Sequence, residues 1–343
     1  MNRSASIKDV ANHASVAVGT VSNVLNYPDR VSQRTKERVL RAIDELGFIR
    51  NDAARQLRAG HSRTIGLIVL DVGNPFFTSV VRAAEDAAAL QGSAVLLGDS
   101  GHNASRESNY IDLFQEQRVQ GLLISPVGDV TERLDLLRDR GIPTVLVDRL
   151  ADEDKYSSVS VDDDAGGYLA ARHLLDTGRR RLAFVGGPTS IRQVADRLQG
   201  ARRAVKEEPD ATLEVLDSEG QTVLAGRSVG NMLVERGRGD LPDGIFCAND
   251  LLALGVMQSL TMTHTLKIPE DIALIGYDDI DFAVSAVVPL SSIRQPTEAL
   301  GRTAIELLAE ELESTGPRHR AVIFTPELVV RQSTGPAQGT AAG

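Results

Sequence analysis

A chain of 343 residues with 42% hydrophobic content holds enough apolar material for two or three domains with substantial cores. No apolar run reaches the roughly 18–20 residues of a membrane span, and the single cysteine, Cys247, excludes an intrachain disulfide. The N-terminal MNRSASIKDV enters an amphipathic pattern at once, with no signal-peptide core, so a cytoplasmic location is expected.

The net charge of −10 would disfavour nucleic acid if it were evenly spread, and it is not. Residues 1–60 carry 10 Lys and Arg against 6 Asp and Glu, net +4, and the remainder carries 27 against 41, net −14. A basic head on an acidic body is expected where only the head meets phosphate. Ile7, Val10, Ala11 and Ala14 recur at helical spacing, so a short helix is predicted over 7–14. Ser15-Val16-Ala17 reads as a tight turn, and Val21, Val24 and Leu25 mark the buried face of a second helix over about 18–26, ended by Pro28-Asp29. A third helix is predicted from about Ser32, as N-cap, to Leu46, with Val39, Leu40, Ile43 and Leu46 as its apolar stripe and Gly47 as its stop.

Two short helices across a three-residue turn, braced by a third, form a helix-turn-helix unit, although a generic three-helix bundle would show the same periodicity. In the first case the second helix reads the major groove. Val18, Gly19, Thr20 and Asn23 lie off its apolar face and are the candidates for base contacts: Val18 and the Thr20 methyl suit thymine methyls, and Asn23 suits an adenine edge. The hydroxyls of Ser6, Thr20 and Ser22, with Arg30 and Arg34, suit phosphates, which fix register without reading sequence.

The string SIKDVANHASVAVGTVSNVLN closely resembles the head of the lac repressor/galactose repressor family, and the resemblance continues to about Arg331. It implies a sequence-specific transcriptional repressor that binds a pseudo-palindromic operator as a homodimer, under allosteric control by a small molecule, commonly a sugar, with no cofactor and no catalysis. It carries the operator-reading role onto Val18, Gly19 and Asn23, where many relatives have Arg at the Asn23 position. The next stretch, FIRNDAARQLRAG, reads as a helix of about two turns: Asn51 caps it, Ala53, Ala54 and Leu57 share a face, Arg55 and Arg58 flank that face, and Gly60 ends it. Such a helix is marginal alone in water. The resemblance makes it a hinge that enters the minor groove with Leu57 as a wedge between base pairs; without it, Leu57 reads as an ordinary linker apolar. Arg50 stands where the family usually has Pro.

From Thr64 short apolar runs alternate with helical stretches: TIGLIVL, SAVLLG, GLLISPV and IPTVLV, then a second series beginning at VSVDDDAGGYLAARHLLDTG with RLAFVGG, TLEVLDS, GIFCA and DIALIGY. That alternation predicts parallel sheets covered on both faces. Two such series give an α/β effector domain of two Rossmann-like lobes, resembling a periplasmic sugar-binding protein. The expected organisation is a helix-turn-helix domain over 1–50, a hinge over 51–62, and an effector and dimerisation domain over 63–333. In that domain the first lobe takes 63–161 and 293–321, and the second takes 162–292 and 322–333. The resemblance implies three crossings, near Val161, Ser292 and Val322. The remainder, 334–343, is expected to be a disordered tail. It lacks the leucine heptad of the family's tetramers, so a dimer is expected.

Ligands of open parallel sheets sit at the carboxyl ends of strands. There the apolar runs end in Asp71, in Asp148-Arg149, in Asn249-Asp250 and in Asp278-Asp279, with Phe76 or Phe77 suited to the wall against which a sugar ring packs. The same residue types also cap helices, but four such endings converge. The resemblance assigns effector contacts to Asp71, Asn74, Phe77, Asp148, Arg149, Arg197, Asn249, Asp278 and Gln295, and places Gln221 where several relatives have a stacking aromatic. A contact through Arg149 also admits phosphorylated sugars or carboxylates, and a regulator that answers to a nucleoside or phosphosugar is the alternative. Enzyme classes find little support. There is no G-x-x-x-x-G-K-S/T loop and no G-x-G-x-x-G after the strands at Ile65 or Leu182, and the six histidines show no metal-ligand spacing. A sugar-binding module without DNA regulation would need an export signal and no DNA-reading head.

Overall fold

The computed structural model describes residues 5–48, 63–151, 155–262, 266–313, 316 and 319–335. The chain divides into two compact units, Met1–Ser62 and Arg63–Gly343.

In the first unit, α1 (Ile7–His13) starts at Ser6, α2 (Val18–Asn26) follows the turn at Ser15 (φ 50°), and α3 (Gln33–Glu45) closes the bundle. Ser6 and Asp9 form a capping box: the Asp9 carboxylate accepts from the Ser6 N–H at 2.8 Å, and Ser6 Oγ accepts from the Asp9 N–H at 3.3 Å. A cap of this kind contributes about 1 kcal/mol. Val10, Ala11, Ala14, Val21, Val24, Val39 and Ala42 make the core. Two expectations change here. Leu40 is 46% exposed and faces away from the core that Val39 and Ala42 enter. Ser32 precedes α3 as expected, but its hydroxyl bonds Thr35 Oγ1 (2.9 Å) and caps no backbone N–H.

The second unit holds two six-stranded sheets. In chain order its elements are β1 (Thr64–Val69), α4 (Pro75–Leu90), β2 (Ala94–Asp99), α5 (Ala104–Glu116), β3 (Gly121–Ile124), α6 (Thr131–Asp139), β4 (Thr144–Val147), β5 (Ser157–Val161), α7 (Asp163–Asp176), β6 (Arg181–Val185), α8 (Arg192–Lys206), β7 (Thr212–Leu216), α9 (Val223–Val234), β8 (Gly244–Cys247), α10 (Asp250–Met262), β9 (Ala273–Asp278), α11 (Asp281–Ser285), β10 (Ser291–Arg294), α12 (Thr297–Glu313), β11 (Ala321–Phe324) and β12 (Glu327–Val329). The first sheet runs β11-β5-β4-β3-β1-β2 and is parallel throughout; the second runs β12-β10-β9-β8-β6-β7 and is parallel except where β12 pairs antiparallel with β10.

The central strands are buried on both faces, which is why they read as unbroken apolar runs. Ile65, Leu67 and Val69 face α4 and α12, and Ile68, Leu122 and Ile124 face α5 and α6. A larger core, with Phe184, Phe246 and Tyr277 fully buried, fills the second lobe.

The VSV segment taken as the opening of the second series is β5 of the first sheet, paired between β4 and β11. The Val322 crossing also moves. Val322 pairs with Val159 inside the first sheet, and the chain changes lobe at 325–326, between β11 and β12. Likewise β10 belongs to the second sheet, so that crossing falls after Arg294. At the C-terminal end, Thr334 is 2% exposed and its hydroxyl pairs with those of Ser291 (2.8 Å) and with His173 Nε2 (2.8 Å). The start of the expected disordered tail is therefore folded against the second lobe, held by hydrogen bonds that polarity alone does not reveal.

Candidate DNA-reading and effector sites

In the head, α2 begins without a side-chain cap at Ala17, and the Thr20 N–H donates to the Ala17 carbonyl at 2.9 Å. Val18 (37% exposed), Gly19 and Asn23 face outward on that turn, with Thr20 half-buried beside them. Arg30 and Arg34 are exposed, and the Arg30 guanidinium stacks on Tyr27 at 4.9 Å. Two expected phosphate donors are partly engaged within the head: Ser6 in its capping box, and Ser22, whose hydroxyl and carbonyl accept from Asn26 Nδ2 at 3.2 and 2.8 Å. Arg50, Asn51, Arg55, Leu57 and Arg58 lie outside the described residues.

In the two-lobed unit, loops after the carboxyl ends of the strands meet around a small cavity. The first lobe supplies Leu70, Asp71, Asn74, Phe76, Phe77, His102 and Asp148; the second supplies Ile191, Gln193, Arg197, Gln221, Asn249 and Asp278. Asn74 caps α4, with Oδ1 accepting from the Phe76 N–H (3.0 Å), and its Nδ2 reaches across to Asp278 Oδ2 (2.9 Å). In the opposite sense Gln193 Nε2 donates to the Asp148 carbonyl (2.7 Å) and to Asp148 Oδ2 (2.8 Å). Asp148 (φ 56°) and Asp278 (φ 104°) both sit in left-handed backbone, a strained arrangement for non-glycine residues that clusters at ligand sites.

Arg197 is the cationic anchor. It is 4% exposed, donates from Nε to Asp163 Oδ1 (2.7 Å) and from Nη1 to the Ala248 carbonyl (2.7 Å), and stacks on Tyr277 with Cζ 3.6 Å from the ring centroid. Its place depends on two glycines. A Cβ on Gly167 would collide with the Arg197 carbonyl oxygen, and one on Gly200 with the Asp164 carbonyl oxygen, so only glycine lets α7 and α8 approach this closely. Three buried carboxylates, Asp148, Asp163 and Asp278, share this one guanidinium. Burial therefore dominates and raises all three, with Asp148 pushed up to about 8 and Asp278 to about 6. The buried Asp148 Oδ1 has no hydrogen-bond partner. His102 is held neutral by burial, and its Nδ1 is likewise unpartnered.

Of the expected effector residues, the structure brings Asp71, Asn74, Phe76, Phe77, Asp148, Arg197, Asn249 and Asp278 to this cavity. It does not bring Arg149. The left-handed turn at Asp148 sends Arg149 to a separate depression lined by Thr131, Leu134, Lys155 and Tyr156. Gln295 is one layer behind, donating to Asp278 Oδ1 at 2.7 Å. The capping role weighed for these residues is real for Asn249, whose Oδ1 accepts from the Leu252 N–H (2.9 Å) while Nδ2 donates to the Gln221 carbonyl (3.0 Å). Sequence reasoning missed Gln193, Asp163, Tyr277 and His102. The family resemblance placed Arg197 but gave no sign that Gln193, one turn earlier, faces the same cleft.

A helix-turn-helix reader and a two-lobed α/β domain with a polar cleft define a DNA-binding transcriptional regulator that answers to a small molecule, not an enzyme. Residues 6–51 match the family model for bacterial regulatory proteins of the lacI family, and residues 171–334 match that for a periplasmic binding protein-like domain. The HTH-type transcriptional repressor PurR of Vibrio campbellii is 34% identical over 333 residues, covering 96% of this chain and 98% of the relative. Among solved structures, the lac repressor dimer bound to operator and the anti-inducer ONPF superposes with a TM-score of 0.81 at 25% identity, over 97% of this chain and all of that one. The transcriptional regulator CelR–cellobiose complex does so at 0.70 and 30% identity, over 96% and 99%. The chain belongs to the lacI family of bacterial regulatory proteins. Among the described residues no helix is long and apolar enough to cross a membrane.

Proposed function

We propose that this chain is a homodimeric repressor, acting in the cytoplasm on a pseudo-palindromic operator, and that its effector is a neutral polyhydroxylated molecule of the sugar class. The observation that carries the effector class is the charge balance of the cleft. Asp148 and Asp278 face the cavity from opposite lobes, while Arg197 is already paired with Asp163 at 2.7 Å. Vicinal hydroxyls donate to the Asp278 carboxylate and accept from the amides, whereas a phosphate or carboxylate would face Asp278 with Arg197 already paired to Asp163. Arg149, which would have admitted phosphorylated sugars, stands outside the cleft. The CelR relative binds cellobiose, in keeping with this reading.

On the DNA side, Val18, Gly19, Thr20 and Asn23 are taken as base readers, and Ser6, Ser22, Arg30 and Arg34 as phosphate contacts. The family resemblance adds Asn51, Arg55, Leu57 and Arg58 as the minor-groove hinge. Fluorescence anisotropy on labelled DNA from upstream of the chain's own gene tests both halves, with a panel of neutral sugars, nucleosides and sugar phosphates. A neutral sugar should shift DNA affinity roughly 5–150-fold. A shift with sugar phosphates or nucleosides alone would overturn the sugar assignment, and no sequence preference for any duplex would overturn the repressor.

A further inference from the structure

Two acidic strand ends stand beside cleft residues without lining the cleft themselves: Asp250 next to Asn249, and Asp279 next to Asp278. An aspartate at the start of a helix ordinarily caps it, but in α10 that role belongs to Asn249, whose Oδ1 accepts from the Leu252 N–H (2.9 Å). The Asp250 carboxyl group turns instead to the junction of β9 and β10. Its Oδ2 accepts from the Ile280 N–H (2.9 Å), and its Oδ1 accepts from the Ser292 hydroxyl (2.7 Å), which in turn accepts from the Asp279 N–H (3.0 Å). Asp250 and Ser292 are fully buried, so water does not compete for these bonds. The backbone of β9 makes room for them: a Cβ on Gly276 would lie 2.0 Å from Asp250 Oδ1.

We propose that Asp250 is a positioning residue for effector recognition: through the backbone N–H groups of Asp279 and Ile280 it holds the turn that aims the Asp278 carboxylate into the cleft. The inference rests on the reading of Asp278 as an effector contact. The turn needs holding because Asp278 (φ 104°) and Asp279 (φ 53°) are consecutive left-handed residues that carry side chains. Such a conformation persists only where the surroundings fix it. Here the grip comes from two sides. Asp250 and Ser292 bind the two N–H groups that follow Asp278. On the other side the Asp279 carboxylate is pinned by Arg294 Nε (2.8 Å) and Arg331 Nη1 (2.6 Å). Neighbouring aspartates thereby take different partners, Asp279 the two guanidinium groups and Asp278 the amides of Asn74 and Gln295. The strands that carry this grip all belong to the second sheet, so one lobe sets the geometry of its own contact residue.

The test uses the purified full-length protein with no small molecule added. Hydrogen exchange, read residue by residue by fragmentation mass spectrometry, follows the turn, and carboxyl NMR of isotope-labelled aspartate follows Asp278. Ser292→Ala should speed exchange at Asp279 about tenfold, the equivalent of one hydrogen bond. Asp250→Ala should do so at both Asp279 and Ile280, with the ladder N–H groups of β9 unchanged. In both variants the Asp278 carboxyl group, raised by burial to about 6 in the parent, should titrate closer to its ordinary 3.8 as the relaxed turn lets water reach it. Glycine adopts left-handed backbone without strain. Asp279→Gly added to either variant should therefore return the Asp278 titration towards that of Asp279→Gly alone, even though it removes the pairs with Arg294 and Arg331. A variant that had merely lost stability would exchange faster throughout β9 and would worsen with Asp279→Gly. That result, or an Asp278 titration unmoved in Ser292→Ala and Asp250→Ala, overturns the proposal. None of these readings uses DNA or a sugar, so a failed sugar panel leaves them standing, and their failure leaves the repressor reading intact.

Discussion

Gly167 on α7 lies against the backbone carbonyl of Arg197 on α8, with no room for a Cβ between them. That single contact ties the packing of the second lobe to the one guanidinium in the cleft. Gly167→Ala should force the helices apart and displace Arg197. We expect a loss of about 1–3 kcal/mol in chemical denaturation, together with a weakened effector response. If effector affinity held while stability fell, the contact would serve packing alone.

Arg197 itself balances buried negative charge. Arg197→Ala should destabilise the two-lobed unit by roughly 3–5 kcal/mol, because Asp163 would be left buried without its partner. Arg197→Ala combined with Asp163→Asn should recover part of that loss. A double variant no more stable than the single one would mean that the pair is not the source.

The pH dependence has a definite direction. Burial, followed by the nearby Asp163, raises Asp148 to about 8 from 3.8, opposed by Arg197 and the Gln193 hydrogen bond. The folded protein thus holds this proton more tightly than the unfolded chain does. Its contribution is fullest at and below about pH 4, falls as pH rises towards about 8, and levels off above. Asp278, raised to about 6, adds a loss over the lower part of that window. The denaturation midpoint should therefore fall between pH 5 and 9, and Asp148→Asn should flatten the slope. Parallel slopes for parent and variant would exclude Asp148 as the titrating group.

In the head, Asn23 and Arg34 should separate by the kind of loss they cause. Asn23→Ala should relax preference at one base pair, at a cost of about 1–3 kcal/mol on the operator and little on random DNA. Arg34→Ala should weaken every duplex alike and reduce the salt slope by about one. Binding measured across a salt series on both DNAs decides between these roles.

The elements most legible in the sequence were those whose signal is local. Val10, Val21 and Val24 repeat at helical spacing, and the central strands are apolar because both faces are covered. β5 and β11 were harder: three of the five residues of Ser157–Val161 are serine, and its place in the first sheet depends on pairing with a segment more than 150 residues away. The cleft shows the same division. Strand ends pointed to Asp71, Asp148, Asn249 and Asp278. Arg149 was misplaced because one left-handed residue before it turns its side chain to another face. Gln193 was invisible because the face that α8 presents is set by Gly167 and Gly200, through contacts that no neighbouring residue announces. One of the bonds that join the lobes across the cleft links Asn74 to Asp278, 204 positions apart.

The late chain finishes both lobes at once. β11 completes the edge of the first sheet, and β12 the edge of the second, only three residues beyond it. During synthesis from the N-terminus each lobe keeps an unpaired strand edge until these two late strands have been made. Exposed edges recruit foreign strands. A nonsense mutation just before Ala321 would therefore leave a DNA-reading head attached to two sheets that each lack one edge strand.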